Sequence, residues 1–300
     1  MNHEACVRVN VATLWSTSES ARDVDRPVIV SSPAISEWLN ALSHEARAAL
    51  SSQNLVQSQA LLGQTVQVIE EKGDWAQVVI LDQPSSKDPR GYPGWMPKAQ
   101  LSNQMPPKEG AIAIVKTPLC PLYDDHKQLE MLASYETYLP IVAVEKALVR
   151  VWTPNGERYL HASDVETYTY DEGVPQKGGD QIVECAELFL NLPYLWGGMS
   201  GFGFDCSGFS YTMCRANGYR IPRDAHDQAD HGKRVSMEEL EPGDLLFFSH
   251  NADKKRIHHV GIYYGDGCMI HAPNTGKAVE IISLEGTVYA KEFCLARRYH

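Results

Sequence analysis

Apolar and polar residues alternate with a period of two along much of the first 170 positions. The stretches "QTVQVIEEKGDWAQVVI" (64–80) and "YLPIVAVEKALVRVWT" (138–153) each contain two alternating runs separated by Glu-Lys. Alternation bounded by Gly, Pro and Asp is typical of β-strands joined by tight turns. Shorter apolar runs precede both stretches, at 8–20 and 112–127, so the pattern repeats. The repeat predicts two small all-β barrels, at residues 1–105 and 106–172.

A helical period interrupts the first of these repeats. In "SPAISEWLNALSHEARAALSSQN", Ile35, Leu39, Leu42 and Ala46 recur at three or four residues. This spacing places them on one face of a helix. We therefore expect a helical insertion in the first barrel.

The pattern changes again after residue 172, where helices and strands mix. Five residues share a helical face that ends at Asn-Leu-Pro: Ile182, Cys185, Ala186, Phe189 and Leu190. A second helix should begin near Cys206 and end at Gly218, since Phe209, Met213 and Ala216 recur at helical spacing. Residues 173–300 are therefore predicted to form an α+β domain.

Four further segments predict the sheet of this domain. "HHVGIYYGDGCMIHAP" contains two strands joined through Gly265-Asp266-Gly267, a strong hairpin signal. "EPGDLLFFS" is a turn followed by a strand, and "AVEIISL" and "FCLARRY" have the composition of strands.

Composition and charge exclude several classes of partner. Hydrophobic residues make up 43% of the 300 and charged residues 22%, and no apolar run approaches eighteen residues. The formal net charge of −11 repels polyphosphates. We therefore expect neither a membrane-spanning segment nor a nucleic-acid partner.

The N-terminus and the cysteines favour a cytoplasmic protein. "MNHEACVRVNVATLWSTSESARD" lacks the basic start, apolar run and cleavage site of a secretory signal, so a full-length chain of this sequence is expected to stay in the cytosol. The seven cysteines are scattered and form no CxxC pair, which fits reduced thiols better than disulfides or a zinc site.

Cys206 has the surroundings of a nucleophile. It lies in the first turn of its predicted helix, where free N–H groups and the helix dipole favour a thiolate. The strand that begins "HHVGIYY" puts His258 and His259 on opposite faces, and His259 is expected to open toward the helix. His271 follows in the next strand and can reach the ring of His259. The three residues fit the roles of nucleophile, base and orienter.

The remaining cysteines and histidines are expected to be structural. Cys185, Cys214, Cys268 and Cys294 fit buried, inert thiols, and His258 fits a strand histidine satisfied by backbone or solvent. A zinc site made of Cys206, His259 and His271 would lack a fourth spaced ligand. No metal or other cofactor is predicted.

Four ordered blocks over about 110 residues resemble one family. "PYLWGG", "FDCSGFS", "LEPGDLLFF" and "HHVGIYYGDGCMIHAP" are similar to the NlpC family of papain-like cysteine peptidases, which cut bacterial cell-wall peptides. The resemblance implies a papain-like fold with Cys206 as the nucleophile, His259 as the base and His271 as the third member. These are the roles that the strand and helix patterns indicate.

The first 172 residues narrow the resemblance. The closing segments "GYPGWMPKAQL" and "GERYLHASDV" resemble the ends of bacterial SH3-like domains. Two such domains before this peptidase are similar to the recycling enzymes that cleave the γ-D-glutamyl-diamino acid bond of murein peptides with a free N-terminal L-Ala. The diamino acid, Lys or diaminopimelate, and the oligomeric state are left open.

The same resemblance implies a substrate pocket. It assigns Tyr92 and Asp205 to the substrate amine, with Ser207 lining the pocket and Arg223 and Asp224, from "PRDAHDQ", shaping it. Such relatives often add an acidic residue from the first barrel. Its counterpart here is left open, with Gln57 and Glu70 as candidates for the position.

Alternatives remain for two of these residues and for the function. Tyr92 could be a turn aromatic packed on Trp95, and Asp205 could be the N-cap of the Cys206 helix, alone or in addition to binding substrate. The chain could also be a secreted wall hydrolase of the same family or a wall-fragment binding protein without activity. Its acidic charge disfavours the former, and the intact Cys206, His259 and His271 set disfavours the latter.

Overall fold

The computed structural model describes residues 2–250 and 256–300, which form two compact units. Unit 1 comprises the described residues through Asp82, with Arg90–Gly173 and Ser200–Phe202. Unit 2 comprises Gln83–Pro89, Val174–Met199 and the described residues from Gly203 to His300. The boundaries at 105 and 172 stay predictions, because both barrels lie in unit 1.

The first barrel is a seven-stranded antiparallel sheet with the order β3-β2-β6-β5-β4-β1-β7. Its strands are β1 (His3–Val7), β2 (Val11–Trp15), β3 (Val56–Leu61), β4 (Thr65–Lys72), β5 (Trp75–Ile80), β6 (Tyr92–Pro97) and β7 (Leu101–Ser102). The alternation that predicted β4 places Val66 and Val68 in the core, while the intervening Gln67 is only half-buried.

The predicted helical insertion is present as two helices, α1 (Ile35–Ala41) and α2 (His44–Ser52). Leu42 has extended backbone angles between them. The Ser43 hydroxyl then accepts a hydrogen bond from the Ala46 N–H at 3.2 Å, which caps α2. The apolar period runs through this break, so periodicity alone indicated a single helix.

The second barrel repeats the architecture, with the order β10-β9-β13-β12-β11-β8-β14. Its strands are β8 (Ala111–Val115), β9 (Leu119–Tyr123), β10 (Leu129–Ser134), β11 (Tyr138–Glu145), β12 (Leu148–Thr153), β13 (Gly156–His161) and β14 (Val165–Thr169). Within unit 1, Arg8 and Asn155 join the two barrels through two hydrogen bonds of 3.0 and 2.7 Å.

Unit 2 combines helices with a six-stranded antiparallel sheet of order β17-β22-β18-β19-β20-β21. The helices are α3 (Gly179–Glu187), α4 (Cys206–Arg215), α5 (Ala225–Asp230) and α6 (Val288–Glu292). The sheet strands are β17 (Lys233–Val235), β18 (Leu245–Phe248), β19 (His259–Gly265), β20 (Cys268–His271), β21 (Glu280–Ser283) and β22 (Phe293–Arg298). Before α4, β15 (Met199–Ser200) pairs with β16 (Gly203–Phe204). The described part of the chain also has 3-10 helices at Asp23–Val28, Lys98–Gln100, Ala162–Asp164 and Met237–Glu239.

The predicted hairpin between β19 and β20 is confirmed. Asp266 and Gly267 both have positive φ, 50° and 71°, which is the geometry of a two-residue turn that matches the twist of its strands. Ile262 and Ile270 are paired across the hairpin. The hairpin therefore fixes which residues of β20 lie beside His259.

An aromatic cluster anchors the start of α4. The rings of Phe189 and Phe204 lie 5.0 Å apart, and both contact Phe209 of α4, at centroid distances of 6.4 and 5.7 Å. Leu190 was expected on the same buried face, but its side chain is exposed. That expectation was wrong because α3 ends at Glu187, so the helical period no longer applies at residue 190.

Among the described residues, no helix combines the length and the apolar character needed to cross a membrane.

Candidate active site

Cys206 is the first residue of α4, as the sequence predicted. Asp205 is the N-cap, and its Oδ1 atom accepts a hydrogen bond of 2.6 Å from the Gly208 N–H. The buried helix packs against β19, the strand that begins with His259. The thiol therefore lies at the N-terminus of a helix that packs against the strand carrying the predicted base.

Asp205 does more than cap the helix. Arg223 approaches both carboxylate oxygens, with Nη1 3.1 Å from Oδ1 and Nη2 2.7 Å from Oδ2. The Gly197 N–H donates to Oδ2 at 2.9 Å, and Nη1 of Arg223 also donates to the Ser207 hydroxyl at 2.8 Å. Arg223 thus compensates the buried charge of Asp205 and fixes the residues on both sides of Cys206.

A segment that sequence reasoning assigned to the first barrel belongs to unit 2. The Pro84 carbonyl accepts from the Arg223 N–H at 2.9 Å, and the Ser86 N–H donates to Asp227 at the same distance. Lys87 pairs with Asp224 at 3.0 Å. Asp224 therefore anchors residues 83–89. Neither periodicity nor charge in the sequence indicated this role.

The predicted contact between His259 and His271 is present. Nε2 of His259 lies 2.7 Å from Nδ1 of His271, and both side chains are buried. This bond leaves Nδ1 of His259 available to take the thiol proton, provided that His259 carries its own proton on Nε2. His271 then accepts on Nδ1 and carries its proton on Nε2.

Two residues beside the histidine pair were missed by sequence reasoning. The Tyr289 ring lies 5.3 Å from the ring of His259 and 5.1 Å from that of His271. Oε1 of Glu280 lies 3.6 Å from Nε2 of His271, the ring nitrogen that does not contact His259. Glu280 is in "AVEIISL", which alternation marked as a strand, and its position opposite His271 in the β20–β21 register could have been inferred from that pairing.

Burial favours the neutral forms of Cys206 and His259. It raises the pKa of the Cys206 thiol to about 12, with a further contribution from Asp205, while the backbone N–H of Val260, Arg223 and the backbone N–H of Ser207 oppose the shift. Burial lowers the pKa of His259 well below its ordinary value. Transfer of the proton from the Cys206 thiol to the His259 imidazole leaves the total charge of the pair unchanged. Burial therefore does not prevent this transfer.

Tyr194 is a neighbour of the thiol that the sequence did not single out. Burial raises the pKa of its phenol, and the charges of Cys206 and Asp205 raise it further. Tyr194 therefore stays protonated and keeps a hydroxyl donor near Cys206.

Tyr92, Gln57 and Glu70, the substrate-binding candidates of the first barrel, lie in unit 1 in three different environments. Tyr92 begins β6 and is 2% exposed in the barrel core, so it is not a turn aromatic. Glu70 is exposed on β4, and Gln57 donates hydrogen bonds to Ser16 and Asn54. Their predicted part in substrate binding stays a prediction.

Comparison with protein families matches three separate segments of the chain. Residues 191–298 match the NlpC/P60 family, residues 115–168 match the YKFC SH3b2 domain, and residues 47–101 match the bacterial dipeptidyl-peptidase SH3 domain. The expected combination of two SH3-like domains with an NlpC-type domain is confirmed.

Individual relatives match over almost the whole length. The chain is 43% identical to a gamma-D-glutamyl-L-lysine dipeptidyl-peptidase of Bacillus subtilis over 96% of both sequences. It is 39% identical to the protein of that name from Bacillus cereus, over 99% of this chain and 91% of the relative. A crystal structure of an NlpC/P60 family protein from Bacillus cereus superposes with a TM-score of 0.94 at 37% identity, covering 99% of each chain.

Proposed function

Since the chain belongs to the NlpC/P60 family, we propose that it is a cysteine peptidase that hydrolyses the γ-D-glutamyl-L-diamino acid bond of peptidoglycan-derived peptides. The observation that carries the proposal is the 2.7 Å contact between His259 and His271 in the unit whose α4 begins with Cys206. The printed activity of the two Bacillus relatives supports the choice of bond.

The chemistry follows from these three side chains. Sγ of Cys206 attacks the γ-carbonyl carbon of D-Glu while Nδ1 of His259 takes the thiol proton. The same proton passes to the amine of the diamino acid as the amide C–N bond breaks, which leaves a thioester on Cys206. A water molecule, deprotonated by His259, then hydrolyses the thioester and releases L-Ala-γ-D-Glu. His271 orients His259 throughout, because Nδ1 of His271 accepts a hydrogen bond from the Nε2–H of His259.

Two donors are available for the oxyanion that forms at the attacked carbonyl. The N–H of Cys206 is at the N-terminus of α4, where it has no partner within the helix, and we propose it as the first donor. We propose the protonated Tyr194 hydroxyl as the second, since this phenol is close enough to Cys206 to be affected by its charge.

We further propose that the substrate must have a free N-terminal L-Ala. Asp205 and Ser207 supply acceptor oxygens on either side of Cys206, to which a free ammonium group can donate, while an acylated terminus has no charge and at most one donor. Arg223 holds these two side chains in place.

We place the reaction in the cytoplasm. All seven cysteines, including the half-buried Cys185, Cys268 and Cys294, are free thiols. Unpaired cysteines in this number fit a reducing compartment. Fractionation of cells that make the tagged full-length protein tests this, and recovery from the culture medium would contradict it.

The substrate proposal is tested with L-Ala-γ-D-Glu-L-Lys, its diaminopimelate analogue and the N-acetylated form of each. We expect release of L-Ala-γ-D-Glu from the free peptides only, and none with Cys206→Ala. Equal cleavage of free and acetylated peptides would contradict the amine requirement alone. Absence of cleavage by a folded wild-type protein would contradict the peptidase assignment.

Asp205→Asn refines the test of the amine subsite. The amide retains an oxygen that can cap α4 but removes the negative charge. Loss of the ion pair with Arg223 affects both substrates alike, so we expect the ratio of kcat/KM for the free peptide to kcat/KM for the acetylated peptide to fall. His226→Asn, an exposed residue of α5, serves as the control.

A further inference from the structure

Three side chains on the surface of unit 2 converge outside the catalytic triad. Nδ1 of His250 lies 3.0 Å from one oxygen of Glu292, and Nε2 of His258 lies 3.2 Å from the other. The two imidazole rings are stacked, with centroids 3.9 Å apart and planes within 11°. His258 was expected to be satisfied by backbone or solvent, whereas its ring in fact faces this carboxylate.

The spacing of the three ligand atoms suits a transition-metal ion. All three lie within 4.8 Å of one another. Tetrahedral ligands at 2.0–2.1 Å from Zn²⁺ are separated by about 3.3 Å, and each imidazole nitrogen lies close to that distance from its own oxygen of Glu292, at 3.0 and 3.2 Å. Two imidazoles and a carboxylate are also a ligand set that zinc uses, with positions left for water.

The backbone holds these ligands independently of any ion. The His258 N–H donates to the Phe248 carbonyl at 3.0 Å, and the Ser249 N–H donates to the Glu292 carbonyl at 2.9 Å. Two ligands are therefore tied to the end of β18, directly before His250. His258 and Glu292 are therefore preorganised, which lowers the entropic cost of binding. The exposed ring of His250 must turn out of its stack on His258, because two parallel imidazoles cannot both point an in-plane lone pair at one ion.

A second cluster in the same unit shows what distinguishes the first. Asp224, His226 and Asp227 also bring three such atoms together. There, however, the Lys87 ammonium is 3.0 Å from Asp224, and Asp227 accepts from the Ser86 N–H. The ammonium of Lys87 and the N–H of Ser86 already bind those carboxylates. This cluster is therefore a control that should not bind the ion.

We propose that His250, His258 and Glu292 form a binding site for a zinc-type divalent cation, separate from Cys206, His259 and His271. The ion takes the place of the two hydrogen bonds between the imidazoles and Glu292 and is bound by one atom of each side chain. Each ring stays neutral and carries its single proton on its other nitrogen, Nε2 of His250 and Nδ1 of His258. It connects residues on both sides of the β18–β19 connection to α6, the helix that carries Tyr289. Since Tyr289 packs on both catalytic rings, the ion stabilises the end of β18 and the start of β19 next to the active site.

Calorimetric titration of the chelator-treated full chain with Zn²⁺ tests the proposal. Cys206→Ala is used as the background, because a zinc ion held by the catalytic thiol and His259 would otherwise contribute. We expect one ion per chain and a rise in melting temperature. His258→Ala and Glu292→Gln should each weaken binding at least tenfold, while His226→Ala should not change it. Ca²⁺ and Mg²⁺, which prefer sites made only of oxygen, should not bind.

Two results would overturn the proposal. One is absence of saturable zinc binding in the Cys206→Ala background. The other is binding that His250→Ala, His258→Ala and Glu292→Gln all leave unchanged, because the ion must then be held elsewhere. Circular dichroism of each variant confirms that a loss of binding does not result from unfolding. Neither result depends on the proposed peptidase activity, which is measured separately.

Discussion

Arg223 and Asp205 form a buried ion pair with two contacts, of 3.1 and 2.7 Å, immediately beside Cys206, the proposed nucleophile. The Arg223 side chain is 1% exposed and that of Asp205 is 8% exposed. The pair lies under the first turn of α4, where the Gly208 N–H uses the same carboxylate as a cap. The position of Cys206 therefore depends on an arginine 17 residues away in sequence.

We predict that Arg223→Ala strongly destabilises the protein. Removal of the guanidinium leaves Asp205 buried without its counter-charge, which costs about 3–5 kcal/mol of unfolding free energy. Urea denaturation measures the loss, and Arg234→Ala, an exposed arginine of β17, should change stability by less than about 0.5 kcal/mol. A loss for Arg223→Ala as small as that of the control would show that the pair is not important for the fold.

The core of this site was predictable from sequence, while its supports were not. The position of Cys206 was predicted from the pattern of a helix start. The contact of His259 with His271 was predicted from strand alternation and a two-residue turn. Both signals are local. The roles of Pro84, Arg223 and Tyr289 depend on chain segments that are distant in sequence and have no periodic or turn signal.

Glu280 is predicted to position His271. In the described part of the structure Nε2 of His271 has no hydrogen-bond partner, and Oε1 of Glu280 lies 3.6 Å away. The carboxylate favours the tautomer with the proton on Nε2, which leaves Nδ1 free to accept from His259. It also stabilises the positive charge that His259 gains when Cys206 reacts.

Glu280→Ala should therefore lower kcat about tenfold with little change in KM. Glu280→Gln, whose amide oxygen can still accept, should recover part of the rate and move the acidic limb of the kcat profile to lower pH. Cleavage of the free tripeptide measured from pH 5 to 9 provides these values. Equal rates and profiles in wild type and both variants would exclude the role.

Stability should fall as the pH drops below about 6.5. Burial lowers the pKa of His271 to about 3, with a smaller contribution from Lys277, so the folded protein resists protonation that the unfolded chain accepts. The unfolded state then binds more protons between these two values, and the native state loses stability as the pH falls through that window.

By pH 4.5 the contribution of His271 should be about 2–3 kcal/mol. We predict that the unfolding free energy of His271→Asn, measured by urea unfolding, falls by this amount less than that of wild type between pH 7 and pH 4.5. His226→Asn, an exposed histidine of the same unit, should behave as wild type does. An identical pH dependence in His271→Asn would contradict the assignment.

Gly261 is predicted to be required for the geometry of the two histidines. A Cβ atom at this position would lie 2.8 Å from Sδ of Met269 and 3.3 Å from Cβ of His271. The first distance is a clash, and the second is tighter than an ordinary contact. The side chains of β20 must therefore shift, and His271 is bonded to His259 at only 2.7 Å.

Gly261→Ala should cost about 1–3 kcal/mol of stability through overpacking and lower kcat by at least tenfold through displacement of His271. Gly178→Ala, in which the new methyl group meets only the flexible end of Gln181, is the matched control and should leave both quantities nearly unchanged. A Gly261→Ala enzyme with reduced stability but full kcat would show that Met269 absorbs the methyl group and that the distance between the imidazoles is preserved.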